Sequence, residues 1–480
     1  MNSVLSGMQA FANWIWGIPM LVWIVGGGFV MSARLGFLQF TKLGFILKHT
    51  IGKSMGEKGR DGKFSGWQAV TGALASTLGA GNIIGTAMAV AFGGPGAVFW
   101  LWLSGFFCCV VKYSETTIAM KYRKLGPQGI WEGGPQIYLS KATGWKWLSP
   151  LYAILVICGL FLAASAQIGA GVDNLVKLGT PRFGTMITLT ILVGLVVIGG
   201  IKSLLSVTER LVPFMSVLYI IGCLLVIGLN IENLPAAVAL IFKDAFTGRA
   251  AFGGFVGATL TQSIRWGIAR GCYSNDAGTG VTTILHAVAD VKHPVQQSMW
   301  AVFEVFFDTI IVCSLTCLVV LTSGIWSDKL DPAVMTMTAF TNNLGTVGGL
   351  IATISVVLFT FTTACAQITF TEAQIVSLCG EKYRKLGRYG MVALLLLGGT
   401  VGISALIPYI DFFTGLYTFF NMLGVYGCSR MVISLTKEYF ADPMKWETQM
   451  WPDWVREEKE FKQIQSRVQP AKMPSLQDTH

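Results

Sequence analysis

Two short polar runs interrupt stretches of apolar sequence that are otherwise long enough to span a membrane. The first covers residues 76–82, STLGAGN, and the second covers residues 272–280, CYSNDAGTG. Lipid offers no hydrogen-bond partners, so unwound backbone at membrane depth is tolerated only where it lines a cavity or binds a ligand. Broken helices in corresponding positions of two halves indicate the binding site of a transporter.

The first run has the chemistry to bind both an anion and a cation. Gly79 and Gly81 let the backbone leave helical geometry and expose amide hydrogens to a carboxylate. Carbonyl groups freed at the other half-helix end, with the hydroxyls of Ser76 and Thr77, suit a small hard cation such as sodium. Glycines also permit close helix packing. The paired break and the adjacent Asn82 favour a binding site.

The second run places Tyr273, Ser274, Asn275 and Asp276 in the middle of a segment with apolar ends. Such residues are costly in a bilayer unless they face a cavity or one another. Asp276 can receive a substrate ammonium group or a second cation. It can equally cap a half-helix that begins near Gly278, because Asp accepts hydrogen bonds from exposed amides. Both interpretations remain open at this point.

The composition is that of a membrane protein. Of 480 residues, 53% are hydrophobic and 12% are charged, whereas a soluble domain carries about 25% charged residues. The formal charge of +10 does not indicate nucleic acid, because the basic residues lie in short loops between apolar segments. Their concentration in alternate loops follows the positive-inside rule and predicts an outside N-terminus and a cytoplasmic C-terminus.

Eleven apolar segments predict an all-α membrane protein with eleven transmembrane helices. They cover approximately residues 14–32, 64–92, 97–120, 148–171, 186–201, 211–229, 253–289, 299–321, 347–379, 389–407 and 412–435. A straight span needs roughly 20 residues. Segment 253–289 is too long for one unbroken span and has a polar centre, so it predicts a helix, a break and a half-helix.

The segments divide into one extra helix and two groups of five. Residues 1–63 hold the extra N-terminal helix and a basic cytoplasmic loop, residues 64–230 the first repeat, and residues 231–436 the second repeat with an extracellular connection. Because each repeat has five helices, an odd number, the two repeats must enter the membrane with opposite orientations. This predicts an inverted 5+5 repeat, and the two polar runs predict that its first and sixth core helices are broken. Residues 437–480 are predicted to form a cytoplasmic tail, an amphipathic helix with a disordered end.

The sequence resembles the alanine or glycine:cation symporters, bacterial and archaeal members of the amino acid–polyamine–organocation superfamily. The resemblance is carried by residues 71–102, TGALASTLGAGNIIGTAMAVAFGGPGAVFWLW, by RGCYSNDAGTG at 270–280, and by HPVQQSMWAVFEVFFDTIIVC at 293–313. It implies a fold of the leucine-transporter (LeuT) type after one extra helix, a plasma (inner) membrane location, coupling to sodium or protons, and small amino-acid substrates.

The resemblance also implies which residues bind. The implied substrate pocket comprises Thr77, Gly79, Gly81, Asn82, Gln167, Tyr273, Ser274, Asn275, Asp276 and Gln367. The implied sodium site comprises the carbonyls of Ala75 and Leu78, with Phe359, and the hydroxyls of Thr362 and Thr363. Threonine hydroxyls in helices also commonly bond to the preceding turn.

The sequence departs from the family pattern at three places. Gln367 stands where the family commonly has Trp, Asp276 stands where Glu is usual, and Ile168, Gly169 and Ala170 follow Gln167 in place of Ala-Asn-Ser. Changed pocket walls alter which side chain fits. A larger or more polar amino acid, such as glutamine, therefore joins alanine and glycine as an expected substrate.

The expected function is sodium-coupled import of a small neutral amino acid without a cofactor. A proton-coupled transporter of the same fold is the alternative, and an ion channel a more remote one, since no filter-like repeat is present. An enzyme is not expected, because the four histidines have no metal-ligand spacing. No transport role is assigned to five carboxylates in apolar segments, namely Glu115, Glu304, Asp308, Glu372 and Asp411. Glu304 and Asp308, four residues apart on one helix face, are expected to hold one proton between them.

Overall fold

The computed structural model describes residues 2–59, 63–127, 129–247, 260–328, 330–398, 403–457 and 459. The described chain is mostly helical. Its first half contains α1 (Asn2–Ile15), α2 (Ile18–Met20), α3 (Gly27–Arg34), α4 (Leu38–Thr41), α5 (Leu43–His49), α6 (Ile51–Ser54), α7 (Gly66–Thr77), α8 (Thr86–Gly93), α9 (Ala97–Tyr122), α10 (Pro135–Thr143), α11 (Leu148–Val176), α12 (Arg182–Ile198) and α13 (Gly200–Leu229). A two-stranded antiparallel ribbon pairs β1 (Lys124–Leu125) with β2 (Trp131–Glu132).

The second half continues with α14 (Leu234–Thr247), α15 (Leu260–Asn275), α16 (Thr283–His286), α17 (Pro294–Val305), α18 (Ser314–Thr322), α19 (Pro332–Cys379), α20 (Arg384–Gly398), α21 (Ile403–Gly427), α22 (Ser429–Ala441) and α23 (Lys445–Thr448). Turns of π-helix join α2 to α3, α7 to α8, and α17 to α18. Gly345 has non-helical backbone angles and divides α19. The stretch before it, 332–344, is helical where the sequence predicted a loop.

Six helical runs in the described residues are long and apolar enough to cross a membrane: Ser6–Arg34, Ala97–Tyr122, Leu148–Val176, Gly200–Leu229, Pro294–Thr322 and Pro332–Cys379. The pair Gly66–Thr77 and Gly81–Gly93, bent by 55°, is a seventh candidate. The other predicted segments overlap shorter or interrupted helices. The count of eleven spans, the 5+5 repeat and the division into repeats stay predictions, and residues 253–259 of the seventh segment lie outside the described residues.

The first predicted break lies at the end of α7. A capping box starts this helix, in which the Ser65 hydroxyl accepts from the Gln68 amide and the Gln68 side chain accepts from the Ser65 amide. The helix ends at Thr77, and Leu78 has ψ of 83°, which is not helical. The chain re-enters a helix through a π-helical turn at Gly81–Gly85. The apolar run is therefore interrupted at the glycine-rich stretch that the sequence singled out.

The second predicted break follows α15, which ends at Asn275. Asp276, Gly278 and Gly280 all have positive φ, at 54°, 85° and 76°. Left-handed backbone is easy for glycine and uncommon for other residues, although Asp is among those that tolerate it. The chain then forms only a short helix, α16, so that a long irregular stretch separates the two helical parts.

Packing brings the two breaks together inside the helix bundle. α11 packs along α19 and α21, α15 packs along α9, and α13 packs along both α7 and α19. The Ser76 hydroxyl at the first break donates to the Asp276 carboxylate at the second, at 3.2 Å. Two interruptions almost two hundred residues apart in sequence thus meet at one place.

The chain after α22 is docked against the loops on one side of the bundle. Trp446, Trp451 and Trp454 are buried, and the Arg123 guanidinium stacks over the Trp454 ring at 3.8 Å. Lys53 also pairs with Glu447 at 2.6 Å. The predicted tail boundary at residue 437 falls within α22, and the disordered end expected for the tail lies outside the described residues.

Candidate functional site

A small internal cavity lies where the two breaks meet. Its lining comprises Ser76, Thr77, Gly79, Gly81, Leu160, Ala163, Gln167, Tyr273, Ser274, Asp276, Thr363, Gln367, Thr414 and Tyr417. Eight of the ten residues predicted to bind substrate are in this set. Asn82 and Asn275 are not, and both side chains point into hydrogen-bond networks beside the cavity.

Thr363 faces the carbonyl groups at the broken end of α7. Its hydroxyl oxygen lies 3.0 Å from the Ala75 carbonyl oxygen, 3.3 Å from that of Ser76 and 3.2 Å from that of Leu78. The last carbonyls of a helix have no partner within the helix and carry partial negative charge. Carbonyl and hydroxyl oxygens are the type of ligand that sodium and other hard cations take.

Thr362 points away from this cluster. Its hydroxyl lies 3.1 Å from the Leu358 and Phe359 carbonyl oxygens of its own helix, and 3.7 Å from the Met215 sulfur. The geometry is the bond to the preceding turn that threonine commonly makes in helices. Of the two adjacent hydroxyls predicted as cation ligands, Thr363 alone reaches the broken helix. The Phe359 carbonyl oxygen accepts a hydrogen bond from the Thr362 hydroxyl, and the Phe359 ring lies beside the Tyr219 ring.

Gln167 from α11 recognises the unwound backbone directly. Its side-chain oxygen accepts a hydrogen bond from the Ala80 amide at 3.1 Å. A Cβ atom at Gly79 would lie 2.8 Å from the Thr363 hydroxyl and 3.2 Å from the Gln167 amide nitrogen. A side chain at position 79 would have to push Thr363 or Gln167 aside, because two side chains from different helices approach the backbone there.

Asn82 holds the first break together. Its side-chain oxygen accepts from the Gly79 amide at 3.0 Å, and its amide nitrogen donates to the Asp308 carboxylate at 2.5 Å and to the Ser274 hydroxyl at 3.0 Å. The predicted role of Asn82 as a substrate ligand does not match this orientation. Its buried side chain instead ties the two breaks and α17–α18 into one unit.

Asn275 likewise stabilises the second break through hydrogen bonds beside the cavity. Its side-chain oxygen accepts from the Ala277 amide at 2.9 Å, and its side-chain nitrogen donates to the Thr309 hydroxyl at 2.9 Å. The Asn275 carbonyl accepts from the Lys112 ammonium at 2.9 Å. These bonds fix the irregular turn, and they leave no Asn275 side-chain group directed at the cavity.

Asp276 presents its carboxylate to the cavity. Among the described residues its side chain accepts one hydrogen bond, from the Ser76 hydroxyl, whereas its backbone carbonyl accepts from the Thr279 hydroxyl at 2.6 Å. No backbone amide in the described residues is capped by this carboxylate, and the Ala277 amide is capped by Asn275 instead. The geometry favours the ligand interpretation over the helix-cap interpretation.

Five cavity residues were not predicted: Ser76 as a lining residue, Leu160, Ala163, Thr414 and Tyr417. Leu160 and Ala163 lie seven and four residues before Gln167, which places all three on one face of α11. That spacing could have identified them. Thr414 and Tyr417 share a face of α21 by the same spacing, but no polar break in the sequence marked that helix.

The five carboxylates without an assigned role all have partners. Glu304 contacts the His286 ring at 2.7 Å and lies 3.6 Å from the Lys112 ammonium, whereas Asp308 accepts from Asn82 and Ser274. Glu304 and Asp308 thus hydrogen-bond to separate partners, and the shared proton stays a prediction. The remaining three pair with other elements: Glu115 with Asn421, Glu372 with Arg384 and Arg388, and Asp411 with Arg270.

Apolar helices that break around a shared polar cavity define an integral membrane transporter. The sodium:alanine symporter family model matches residues 1–450. The chain belongs to this family, and it is not an enzyme.

Curated relatives cover almost the whole chain. An uncharacterized transporter, YflA, of Bacillus subtilis is 36% identical over 92% of this chain and 94% of its own. The sodium/alanine symporter AgcS of Methanococcus maripaludis is 35% identical over 89% of this chain and 95% of its own. The probable sodium/glutamine symporter GlnT of Bacillus subtilis is 29% identical over 92% and 91%. The named substrates of these relatives thus differ.

Proposed function

We propose that this chain is a sodium-coupled symporter that imports a small neutral amino acid by alternating access. One observation carries the proposal: the Thr363 hydroxyl meets the carbonyls of Ala75, Ser76 and Leu78 at the broken end of α7, directly beside the polar cavity. A cation held there stabilises the unwound backbone that also forms one wall of the substrate cavity. Binding of the cation and binding of the substrate are coupled because they share this segment.

The cavity suits a zwitterionic α-amino acid. Gly81 lines one wall, where a half-helix begins and its amides favour a carboxylate. Tyr273 and Ser274 lie in the last turn of α15, whose terminal carbonyls can accept from an ammonium group, and the Asp276 carboxylate is close by. Alanine and glycine are the expected substrates.

Glutamine is included among the proposed substrates because Gln367 lines the cavity. This buried side chain lines the cavity, and its oxygen has no hydrogen-bond partner among the described residues. A buried amide oxygen without a partner costs free energy that a polar substrate can offset. The names of two relatives, a sodium/alanine symporter and a probable sodium/glutamine symporter, support keeping both amino acids as proposed substrates.

The membrane placement belongs to the same proposal. We place the chain in the plasma (inner) membrane of a bacterium or archaeon with the N-terminus outside and the C-terminus inside. The positive-inside distribution supports this orientation. A leucine-transporter-type 5+5 repeat after one extra helix accounts for two broken helices that meet at the centre of the bundle.

Uptake into proteoliposomes tests the proposal. Each of twenty labelled amino acids is offered with an inward sodium gradient, with an inward proton gradient at equal sodium, or with neither. A sodium gradient should accelerate uptake of alanine, glycine or glutamine at least tenfold, and the amino acid should be recovered unchanged. Acceleration by the proton gradient alone would establish the proton-coupled alternative. Ionic current without amino-acid uptake would contradict symport and support a channel.

A further inference from the structure

Four ionisable side chains form a buried cluster between α9, α16 and α17. The Glu304 carboxylate lies 2.7 Å from the His286 Nε2 atom and 3.6 Å from the Lys112 ammonium nitrogen. Glu115 lies three residues after Lys112 on α9, and its Oε2 atom has no hydrogen-bond partner among the described residues. All four side chains are fully buried. The proposed cation and substrate sites contain none of these groups.

The cluster has more negative than positive groups. Lys112 supplies one positive charge and the ionised carboxylates of Glu115 and Glu304 supply two negative charges, so one negative charge is uncompensated while His286 is neutral. An unpaired buried charge is costly. One proton on His286 would make the cluster neutral, and histidine is the side chain that most readily changes charge near neutral pH. Three further ionisable groups lie around the cluster on neighbouring segments: Asp276, Asp308 and Arg123.

The second ring nitrogen of His286 faces a spare hydrogen-bond acceptor. The Nδ1 atom lies 2.8 Å from the side-chain nitrogen of Gln297. An amide nitrogen only donates, so Nδ1 is the acceptor and Nε2 carries the hydrogen that bonds to Glu304. The Gln297 oxygen is buried and has no partner among the described residues. A half-turn of this amide would place its oxygen against a protonated Nδ1, so a bound proton gains an acceptor.

The same amide contacts the start of the broken helix α7. The Gln297 nitrogen lies 3.4 Å from the Gly66 carbonyl oxygen. After a half-turn, the amide oxygen would face that carbonyl oxygen instead, and the two like dipoles would repel. The start of α7 is also joined to the turn after α16, because the Phe64 carbonyl accepts from the Asp290 amide at 2.7 Å. Protonation of His286 thus weakens one contact in the joint that holds α7.

A cavity of about 510 Å³ gives a proton access to this joint. It lies on the proposed cytoplasmic side, where Gly66 lines it and the exposed Lys53 and Lys58 lie at its surface. Gln297 is directly behind Gly66, since a Cβ atom at position 66 would lie 2.9 Å from the Gln297 oxygen. Water in the cavity can therefore bring a proton to within one side chain of His286.

We propose that His286 is a binding site for a regulatory proton from the cytoplasmic side, and that Gln297 transmits its binding to the start of α7. With His286 neutral, the Gln297 amide donates to the imidazole and to the Gly66 carbonyl, and α7 is held. With His286 protonated, the amide turns, accepts from the imidazole and releases Gly66. The effect on uptake rests on the proposed symport, whereas the change at α7 does not.

Amide hydrogen exchange in the full-length protein measures the release of α7. Exchange at residues 69–77 is compared at about pH 8 and about pH 5, the limits of the range in which histidine usually changes charge, with times scaled to the intrinsic exchange rate. Loss of one hydrogen bond changes an equilibrium by about two- to tenfold, so exchange should be faster by that factor in acid. His286→Gln and Gln297→Met should remove the difference. His49→Gln, at a half-buried histidine that lines the same cavity, is the matched control and should keep it.

Nitrogen-15 NMR of labelled histidine separates binding of the proton from its transmission. The chain has four histidines, so the His286 signal is the one that His286→Gln removes. This signal should titrate in the wild type and also in Gln297→Met, although α7 no longer responds in that variant. A wild-type His286 signal that stays constant between about pH 5 and 8 overturns the proposal. A response of α7 that persists in Gln297→Met overturns it equally, and this variant decides alone if His286→Gln does not fold.

Sodium-driven uptake, measured at equal pH on both sides of the membrane, gives the functional readout. The change in uptake between about pH 8 and about pH 5 should be about two- to tenfold larger in the wild type and in His49→Gln than in Gln297→Met. The same pH profile in the wild type and in Gln297→Met would overturn the regulatory role. Absence of all sodium-driven uptake instead contradicts the proposed symport, and the exchange experiment then still decides whether His286 binds the proton that releases α7.

Discussion

The Thr363 hydroxyl lies 3.0 Å from the Ala75 carbonyl oxygen, so a side chain of α19 meets the broken end of α7. The two helices are more than 280 residues apart in sequence. A cation bound between them would favour one relative position of the helices, because a ligand shifts a conformational equilibrium toward the state that it binds more tightly. Sodium coupling and movement of the first break are thus expected to depend on the same contact.

Thr363→Ala should weaken sodium activation. The substitution removes one oxygen ligand from a cluster of carbonyls, and hydrogen bonds or contacts to a charged group are worth about 1.5–3 kcal/mol. The sodium concentration for half-maximal uptake should rise about tenfold or more, since 1.4 kcal/mol corresponds to a factor of ten. Uptake in proteoliposomes over a series of sodium concentrations measures the change.

Two variants control this experiment. Thr362→Ala removes a hydroxyl that bonds to its own helix, so the sodium dependence should change less than twofold. Thr363→Ser keeps the hydroxyl and should stay near the wild-type value. Equal effects of Thr362→Ala and Thr363→Ala would contradict the assignment of Thr363 as the ligand, and no effect of either would place the cation elsewhere.

Gly81→Leu should abolish uptake of every amino acid while the protein still folds. A Cβ at position 81 would lie 3.7 Å from the Tyr273 ring, which is an ordinary contact, so the added isobutyl group occupies the cavity without a backbone clash. Uptake and gel-filtration profile are measured together. Gly228→Leu, at an exposed position on α13 with no atom near its Cβ, should transport normally. Residual uptake by Gly81→Leu of any one amino acid would show that the substrate lies outside this cavity.

Gln367→Trp should shift preference toward glycine and alanine. The indole is larger than the amide and should fill the cavity beside Gln167, which excludes larger amino acids. Gln367→Met keeps a similar volume without the amide, so it separates volume from polarity and should reduce glutamine uptake relative to alanine. Relative uptake across the amino-acid panel is the measurement. An unchanged ranking in both variants would place the substrate side chain away from Gln367.

The sequence predicted the positions of both breaks because each pairs glycines with polar residues inside an apolar run. Orientation within a polar run could not be predicted in the same way. Thr362 and Thr363 are neighbours, but consecutive helical residues point about 100° apart, and only packing decides which one faces α7. Asn82 looked like a ligand by type, yet its side-chain amide donates to the buried Asp308 carboxylate, 226 residues later in the sequence.

The side-chain contacts between different helices were the main feature that the sequence did not predict. The spacing of Glu304 and Asp308 predicted that they share one helix face. In the structure, however, Glu304 contacts Lys112 of α9 and His286 of α16, whereas Asp308 accepts from the Asn82 amide. Contacts of this kind depend on tertiary packing that periodicity does not encode. The helix α14 was also missed, because its 14 residues are fewer than the roughly 20 that a membrane span needs.

Asp308→Ala should destabilise the fold and impair binding at both breaks. The carboxylate accepts from Asn82 at 2.5 Å, from Ser274 at 2.6 Å and from Thr309 at 3.0 Å, and all these groups are buried. Its removal leaves buried donors unsatisfied at about 1–3 kcal/mol each, so thermal unfolding in detergent should occur at a clearly lower temperature. Asp173→Ala, which breaks a half-exposed pair with Arg182, should leave the unfolding temperature nearly unchanged, because surface pairs contribute about 0–1 kcal/mol.

A double-mutant cycle with Asn82→Ala distinguishes the contact from general damage. Residues in one hydrogen-bond network show coupling of about 0.5–3 kcal/mol, whereas distant residues add independently. The double variant should therefore lose clearly less stability than the two single variants together. Substrate affinity should fall in each single variant, because Asn82 also accepts from the Gly79 amide and so positions the first break. Simple additivity, or wild-type affinity in Asn82→Ala, would contradict the conclusion that Asn82 and Asp308 align the two breaks.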